Sequence, residues 1–188
     1  MIEDRKRTLI KALKDDDPVV RTRASNSLLK LEGMSELPEI MARFKGAPKK
    51  DKLRFIYALS KIRHEKALVP LVYSLKDEDE EIRISAIRAM GETENHKAIP
   101  HLLSVLENTN TLAKIQAVES LGRLGNRDVV KILAKMLLTG VTDLDETIII
   151  VLGKLKDKSI ERLLISLSEY SDQKIRRAAV WALGELEF

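Results

Sequence analysis

The chain has 188 residues, of which 44% are hydrophobic and 33% charged, and its formal net charge is +4. This balance is typical of a folded chain and excludes a disordered one. The sequence contains no cysteine, which excludes a disulfide framework, a thiolate nucleophile and a cysteine-ligated metal. The longest apolar run, Ile148 to Leu152, is far shorter than the roughly 20 residues that a bilayer requires, and no apolar signal segment follows the N-terminus. We therefore expect a cytoplasmic protein.

The first helix of each of six units is predicted from apolar residues at helical spacing. In chain order these segments cover residues 9–13, 37–44, 68–75, 99–106, 132–137 and 160–167. The apolar residues of the sixth segment predict a first helix that is shifted by one residue relative to the 31-residue register. All five prolines fall where a predicted helix begins, a position that proline tolerates. Pro38, Pro70 and Pro100 lie in first helices, and Pro18 and Pro48 open second helices.

The second helix of each unit is marked by a residue that recurs every 31 positions. Glycine occupies this position at Gly91, Gly122, Gly153 and Gly184, and the same step backwards reaches Ser60 and Leu29. A period of this length accommodates two helices and is typical of a stacked solenoid. The units cover approximately residues 1–33, 34–64, 65–95, 96–126, 127–157 and 158–188. The spacing predicts an all-α fold, an α/α superhelical solenoid of six two-helix repeats with a 31-residue period.

Small residues dominate the buried side of the predicted second helices at five and two positions before the glycine. They predict that neighbouring second helices approach closely. Glycine inside a helix costs about 1 kcal/mol relative to alanine, so its return in one register predicts a steric role. Leu29 and Ser60 break this rule, which predicts looser or differently angled packing in the first two units.

Three segments carry a pattern that resembles the short HEAT-like repeats, the kind also found in phycobilisome lyase subunits. They are residues 17–21, 81–91 and 174–184. The resemblance covers essentially the whole chain and implies an adaptor or scaffold surface. Repeats of this family commonly pair an aspartate with an arginine six residues later, as in Asp15 with Arg21 and Asp77 with Arg83, in a ladder between units. The resemblance implies a structural role for Arg21, Arg83 and Arg176.

The face of the second helices opposite the buried side varies most among the units. In proteins of this kind it lines the concave side, and tyrosine, tryptophan and arginine are enriched at binding hot spots. We predict a partner-binding groove of the following residues: Leu53, Tyr57, Ile84, Arg88, Ile115, Glu119, Ile150, Arg177 and Trp181. The alternative interpretation makes Leu53, Ile84 and Ile115 half-buried packing between adjacent second helices.

A second candidate surface is basic, because residues 1–64 contain sixteen Lys and Arg against nine Asp and Glu. The candidate anion-binding or nucleic-acid-binding patch contains Arg21, Arg23, Lys45, Lys49, Lys50, Lys52 and Arg54. HEAT-like DNA glycosylases use a positively charged concave groove. The charge here is local, Glu119 and Glu146 interrupt the groove, and few aromatic residues can stack on bases. A solvated basic face is the favoured interpretation.

Enzyme chemistry finds little support in the sequence. The only histidines are His64, His96 and His101. The single His64-Glu65 pair falls short of the several His-Glu pairs that hold iron in HEAT-repeat deoxyhypusine hydroxylases. No glycine-rich phosphate loop or nucleophile elbow is present. We predict no catalytic residue, no metal and no cofactor.

The predicted function is that of a non-enzymatic protein–protein interaction scaffold that binds a protein or peptide along the groove. Two alternatives stay open, a nucleic-acid-binding protein that uses the basic units and a lyase-like or chaperone-like subunit that acts with a partner. The last predicted unit lacks a polar outer face, which terminal repeats normally need. Three explanations for the missing polar face stay open. The end forms a homodimer contact, the chain is a piece of a longer protein, or the last unit is stable without a polar cap.

Overall fold

The computed structural model describes residues 1–12, 14–17, 19–20, 23–24, 27, 31, 41, 44–62, 65–108 and 110–186. The α-helices of this part of the chain are α1 (Ile2–Ala12), α2 (Lys49–Ser60), α3 (Leu68–Ser74), α4 (Glu80–Glu92), α5 (Ile99–Asn108), α6 (Thr111–Leu124), α7 (Val130–Lys135), α8 (Thr142–Leu155), α9 (Glu161–Ser168) and α10 (Gln173–Glu185). Short 3₁₀ helices at Glu65–Ala67, His96–Ala98, Arg127–Val129 and Lys158–Ile160 precede α3, α5, α7 and α9. The described residues contain no strand.

The helices stack as a solenoid, which confirms the predicted all-α fold of two-helix repeats. The second helices α2, α4, α6, α8 and α10 pack one on the next in chain order. Each of α3, α5, α7 and α9 packs against the second helix that follows it. One apolar core therefore runs along the stack rather than forming a single central cluster.

The first helices keep the 31-residue period through the last unit. The 3₁₀ helices begin at residues 65, 96, 127 and 158, and Leu71, Leu102, Leu133 and Leu164 are all fully buried. The predicted one-residue shift in the sixth unit is therefore wrong. The apparent shift comes from matching Leu163 with Leu102, whereas Leu164 is the residue two periods after Leu102 and both are fully buried.

Polar side chains fix where the helices begin. Asp79 accepts hydrogen bonds from the backbone N–H groups of Glu81 and Ile82 at the start of α4. Asp172 does the same at the start of α10, and Asn110 caps α6 through the N–H of Ala113. Such caps satisfy backbone donors that have no partner inside the helix.

The prolines at described positions lie where the sequence predicts. Pro48 directly precedes α2, and Pro70 and Pro100 lie in the first turns of α3 and α5. The prediction is confirmed for these three residues, while Pro18 and Pro38 lie outside the described residues.

The glycines are required by the close approach of neighbouring second helices. A Cβ on Gly91 would lie 2.7 Å from Cβ and 2.8 Å from Cα of Ser120. On Gly153 it would lie 2.8 Å from both Cα and Cβ of Ala182. A Cβ on Gly122 would similarly lie 2.9 Å from Cγ1 of Val151. The predicted steric role is thus confirmed at three positions, and each contact falls two residues before the next glycine.

Ser60 replaces glycine in the second unit and links that unit to the third through its hydroxyl. The buried hydroxyl shares its one proton between the backbone oxygen of Tyr57 and Oε2 of Glu92, each at 2.9 Å. A hydrogen bond between units therefore stands where the other units have glycine. Leu29, the other exception, lies outside the described residues.

The arginine six residues after the aspartate position stabilises the turn between the two helices of its own unit. Nη1 of Arg83 donates to the backbone oxygens of Asp77 and Glu78, at 2.6 and 2.7 Å. Arg176 donates to the equivalent oxygens of Tyr170 and Ser171. A structural role is confirmed for both arginines, and Arg21 lies outside the described residues. Arg83 bonds to its own turn, so the expected contact between units is made at Asp77 by Lys52, the base at the position equivalent to Arg83 in the preceding unit.

A lysine instead joins two units at this level of the stack. Nζ of Lys52 on α2 lies 2.7 Å from Oδ2 of Asp77 in the next unit. Burial acts to raise the pKa of Asp77, but hydrogen bonds from Lys52 and from the N–H of Asp79 outweigh it, and the pKa lies below its ordinary value. The ion pair therefore holds the carboxylate charged inside the inter-unit contact.

Candidate partner-binding groove

The predicted groove residues all lie on second helices. Leu53 and Tyr57 are on α2, Ile84 and Arg88 on α4, Ile115 and Glu119 on α6, Ile150 on α8, and Arg177 and Trp181 on α10. The two large aromatic side chains are the most open apolar members, with 66% of Tyr57 and 41% of Trp181 exposed. They stand near opposite ends of the row of second helices.

The aliphatic members of the groove are half-buried. Leu53, Ile115 and Ile150 pack against the core with part of their surface open, and Ile84 is also half-buried. This finding agrees with the alternative interpretation, in which Leu53, Ile84 and Ile115 pack between adjacent second helices. They can still offer an apolar floor, because the outer part of each side chain remains accessible.

Two open pockets lie along this face. The first, of about 270 Å³, lies between α2 and α4, and its lining includes Leu53, Tyr57 and Arg88. The second, of about 240 Å³, lies between α6 and α8 and includes Glu119 and Ile150. The structure thus brings five of the nine predicted residues together in two groups, while Ile84, Ile115, Arg177 and Trp181 line neither pocket.

The pocket linings also include residues that the sequence analysis did not select. Glu92 lines the first pocket, and Arg123 and Lys154 line the second. Each of these residues directly follows the glycine of its unit, and helical geometry places that position on the same side as the selected ones. The 31-residue register itself places this position on the groove face.

A polar network crosses the middle of the groove. Nε and Nη2 of Arg88 donate to Oε1 of Gln116, at 3.2 and 3.1 Å, and Nε2 of Gln116 donates to Glu119 at 3.0 Å. Gln116 is buried, so the network holds the exposed guanidinium of Arg88 in place between α4 and α6. The position of a charge is thereby set before any partner arrives.

Lys61 contacts two residues that line the first pocket. Nζ of Lys61 lies 3.0 Å from Oε2 of Glu92 and 4.9 Å from the centre of the Tyr57 ring. The hydrogen bond to Glu92 raises the pKa of Lys61 above its ordinary value. Burial acts to raise the pKa of Glu92, but hydrogen bonds from Lys61 and Ser60 outweigh it and lower that pKa. Glu92 therefore stays ionised and orders the rim of the pocket.

We expect Glu92 to contribute to a loss of stability in acid. Its pKa in the folded protein lies below the ordinary 4.5, so its contribution is present above that value and is lost as the pH falls through the lowered pKa. Urea unfolding of the Glu92→Gln variant should show lower stability than the wild type near neutral pH and a smaller loss on acidification. Exposed Glu107→Gln is the control, and an equal acid response of wild type and Glu92→Gln would contradict the assignment.

Three residues of the candidate basic patch pair with carboxylates, two of them with the next unit. Nζ of Lys49 lies 2.8 Å from Asp79 and 2.7 Å from Glu81, and these hydrogen bonds raise the pKa of Lys49 to about 12. Lys52 pairs with Asp77 and Arg54 with Asp51. Nζ of Lys45 lies 5.3 Å from the ring of Tyr73. The other patch residues are Arg23 and Lys50, which are exposed, and Arg21, which lies outside the described residues.

Neither a metal cluster nor a membrane span is found among the described residues. No group of three or more His, Asp and Glu side chains there is arranged to hold a metal ion. Nε2 of His96 contacts the backbone oxygen of Leu124 at 3.0 Å, and His64 is outside the described part of the chain. No helix in that part is long and apolar enough to cross a bilayer.

The repeat pattern also appears in a comparison with protein families. A family model described as HEAT repeats matches residues 37–112 and 68–147, which together exceed half of the chain. The chain belongs to the HEAT repeat family. No curated protein sequence gives a significant match.

Solved structures share the fold of this HEAT-repeat chain at low sequence identity. One is an engineered protein with a TM-score of 0.50 and 17% identity, and the alignment covers 97% of this chain and 96% of that one. Another is the complex of CpcE and CpcF of phycocyanin lyase from Nostoc sp. PCC7120, with a TM-score of 0.55 and 20% identity. That alignment covers 96% of this chain and only 64% of the other. The resemblance to HEAT-like repeats of the phycobilisome lyase type is confirmed.

Proposed function

We propose that this HEAT-repeat protein is a non-enzymatic scaffold that binds a segment of a protein partner along the second-helix groove. The observation that carries the proposal is that Tyr57 and Trp181 are exposed on the same face as both open pockets. Large exposed aromatic side chains beside an apolar floor are typical of interaction sites.

The dimensions of the repeat limit the length of the segment. The two pockets are separated by two helix-to-helix steps, which correspond to roughly 20 Å at about 8–10 Å per step. About six residues in extended conformation or about thirteen in a helix span this distance. A partner segment with two apolar side chains at such a separation would fill both pockets.

Charges along the groove favour a segment with polar residues of both signs. Arg88 is held by Gln116 in the centre, and Glu119 lies beside it. At the second pocket Arg123 and Lys154 add positive charge. An acidic residue of the partner next to its second apolar anchor would complement these cations and fix the register of binding.

The proposal is tested with a phage-displayed library of random 16-residue peptides selected on the purified protein. Selected peptides should bind the Tyr57→Ser variant at least about tenfold more weakly, because loss of a hot-spot aromatic costs about 2 kcal/mol. The urea midpoint should stay near that of the wild type, since the Tyr57 side chain is mostly exposed.

Tyr170→Ser is the matched control, because this exposed tyrosine lies in a turn outside the second helices. It should leave the affinity of the selected peptides unchanged. If peptides bind Tyr57→Ser and Trp181→Ser as tightly as the wild type, or if no peptide is selected, the groove proposal is wrong.

A lyase-like or chaperone-like subunit is a second candidate, supported by the fold shared with the CpcE and CpcF complex. Such a function predicts that the protein isolated from its native cells carries a second protein chain and a coloured tetrapyrrole. A colourless preparation without a second chain would count against it. Nucleic-acid binding is not favoured, because carboxylates of the same and the next unit pair with Lys49, Lys52 and Arg54.

A further inference from the structure

The junctions between neighbouring second helices differ at one position of the repeat. Six residues before the recurring glycine, α4, α6, α8 and α10 carry Ser85, Gln116, Thr147 and Ala178. Ser85 lines the first pocket, between α2 and α4, and Thr147 lines the second, between α6 and α8. The position therefore faces the preceding second helix, and the size of its side chain affects how much space the junction keeps.

Gln116 fills the equivalent place between α4 and α6. Its side chain is only 6% exposed and lines neither pocket. Oε1 accepts two hydrogen bonds from Arg88 on α4, and Nε2 donates to Glu119. Displacing the amide would break these three hydrogen bonds and leave buried polar atoms without partners. Gln116 therefore resists displacement by an apolar side chain.

The junction between α8 and α10 is covered in another way. Ala178 is small and buried, but a Cβ on Gly153 would lie 3.0 Å from Cζ3 of Trp181. The indole ring thus lies over this junction. Along the described second helices, open and filled junctions alternate.

We infer that Gln116 determines the specificity of the groove for the spacing of apolar anchors in its partner. By closing the junction between α4 and α6, it makes the groove select a segment whose two anchors are separated by two helix steps. The inference rests on the proposed binding of a protein segment in this groove, and it identifies the residue that sets the spacing.

A segment with anchors one helix step apart, roughly 10 Å, would place one anchor on the filled junction. There an apolar side chain would cover the polar groups of Arg88 and Gln116 without replacing their contacts with water, which opposes binding. A segment with anchors two steps apart carries its middle across the exposed guanidinium of Arg88, where a polar residue can bond. The partner class is therefore an amphipathic segment with two apolar anchors around a polar centre.

The test starts from a peptide that was selected on the wild type and whose two anchors were located by alanine scanning. Deleting half of the residues between the anchors gives a short-spaced peptide, which the wild type should bind at least about tenfold more weakly than the original, because one anchor is lost. Gln116→Ser gives the junction the side chain found at Ser85. It should bind the short-spaced peptide at least about tenfold more tightly than the wild type does, as measured by fluorescence anisotropy.

Gln173→Ser is the matched control, because Gln173 is the only other glutamine of the sequence and is exposed at the start of α10. It should bind both peptides like the wild type. Gln116→Met keeps the length of the side chain but cannot bond to Arg88, so it should reject the short-spaced peptide as the wild type does. Tighter binding by Gln116→Ser cannot come from lost stability, since destabilisation does not strengthen binding.

The reverse change closes an open junction. Thr147 is half-buried at the second pocket, and Thr147→Gln should weaken binding of the original peptide at least about tenfold, because the longer side chain enters the pocket that receives one anchor. Urea unfolding should show a midpoint near that of the wild type.

Two results would overturn the inference while leaving groove binding intact. In the first, Gln116→Ser binds the short-spaced peptide no more tightly than the wild type does. In the second, Gln116→Met binds it as tightly as Gln116→Ser, which would assign the effect to release of Arg88 and not to the opened space. Failure of the groove itself is a different result, in which no peptide is selected on the wild type, and it would overturn both proposals.

Discussion

Gly153→Leu is expected to lower the free energy of unfolding by about 3 kcal/mol, the upper range for overpacking a tight contact. A Cβ at this position would lie 2.8 Å from Cα of Ala182. Because a backbone atom cannot rotate away, α8 and α10 would have to separate along their contact. Urea unfolding followed by circular dichroism measures the loss.

Gly184→Leu is the control for this prediction, because Gly184 occupies the same position in its repeat as Gly153 and the substitution is the same. Nothing lies within 4 Å of a Cβ placed on Gly184, so the change in stability should stay within about 0.5 kcal/mol. Equal losses for the two variants would show that leucine acts through the helix itself and not through the contact with the next unit.

Asp77→Ala is expected to cost about 3 kcal/mol, because it leaves the charge of Lys52 without its partner in a mostly buried site. The side chains of Lys52 and Asp77 are only 16% and 9% exposed. Asp77 also accepts a hydrogen bond from the backbone N–H of Asp79 at 3.0 Å. Thermal and urea unfolding of the single variant should both reveal the loss.

Two further variants identify the cause of that loss. Lys52→Met combined with Asp77→Ala should recover part of the stability, because no lone charge remains in the contact. Asp51→Ala removes the exposed partner of Arg54 and should change the free energy of unfolding by no more than about 1 kcal/mol. A double variant less stable than Asp77→Ala alone would argue that Lys52 stabilises the unit through its own packing.

The repeat register predicts which face of the second helices is accessible, but not how open each side chain on it is. Reading Tyr57 and Trp181 at one helical position placed both on an accessible face, because the 3.6-residue turn alone decides which side of a helix a residue occupies. The same reading selected Leu53 and Ile115, whose side chains are partly covered by the core. How much of a side chain remains open depends on the spacing between neighbouring helices, which a single repeat does not encode.

The basic patch shows the same limit for charge. Lys49 and Lys52 look like free cations when their own unit is considered alone. Their partners Asp79, Glu81 and Asp77 follow more than twenty residues later and approach only when two units stack. The net charge of residues 1–64 therefore overstates the positive electrostatic potential of this surface.

Repetition allows the sequence alone to establish the solenoid, because the same 31-residue spacing must satisfy the same contact in every unit. Close approach of α4 to α6 and of α8 to α10 leaves no space for a side chain at Gly91 and Gly153, so this contact is visible as a residue type. Whether another helix covers a surface is not indicated by residue type in this way. Val180 is the same kind of residue as Val118, yet one is exposed and the other buried, because burial depends on whether another helix lies against the face.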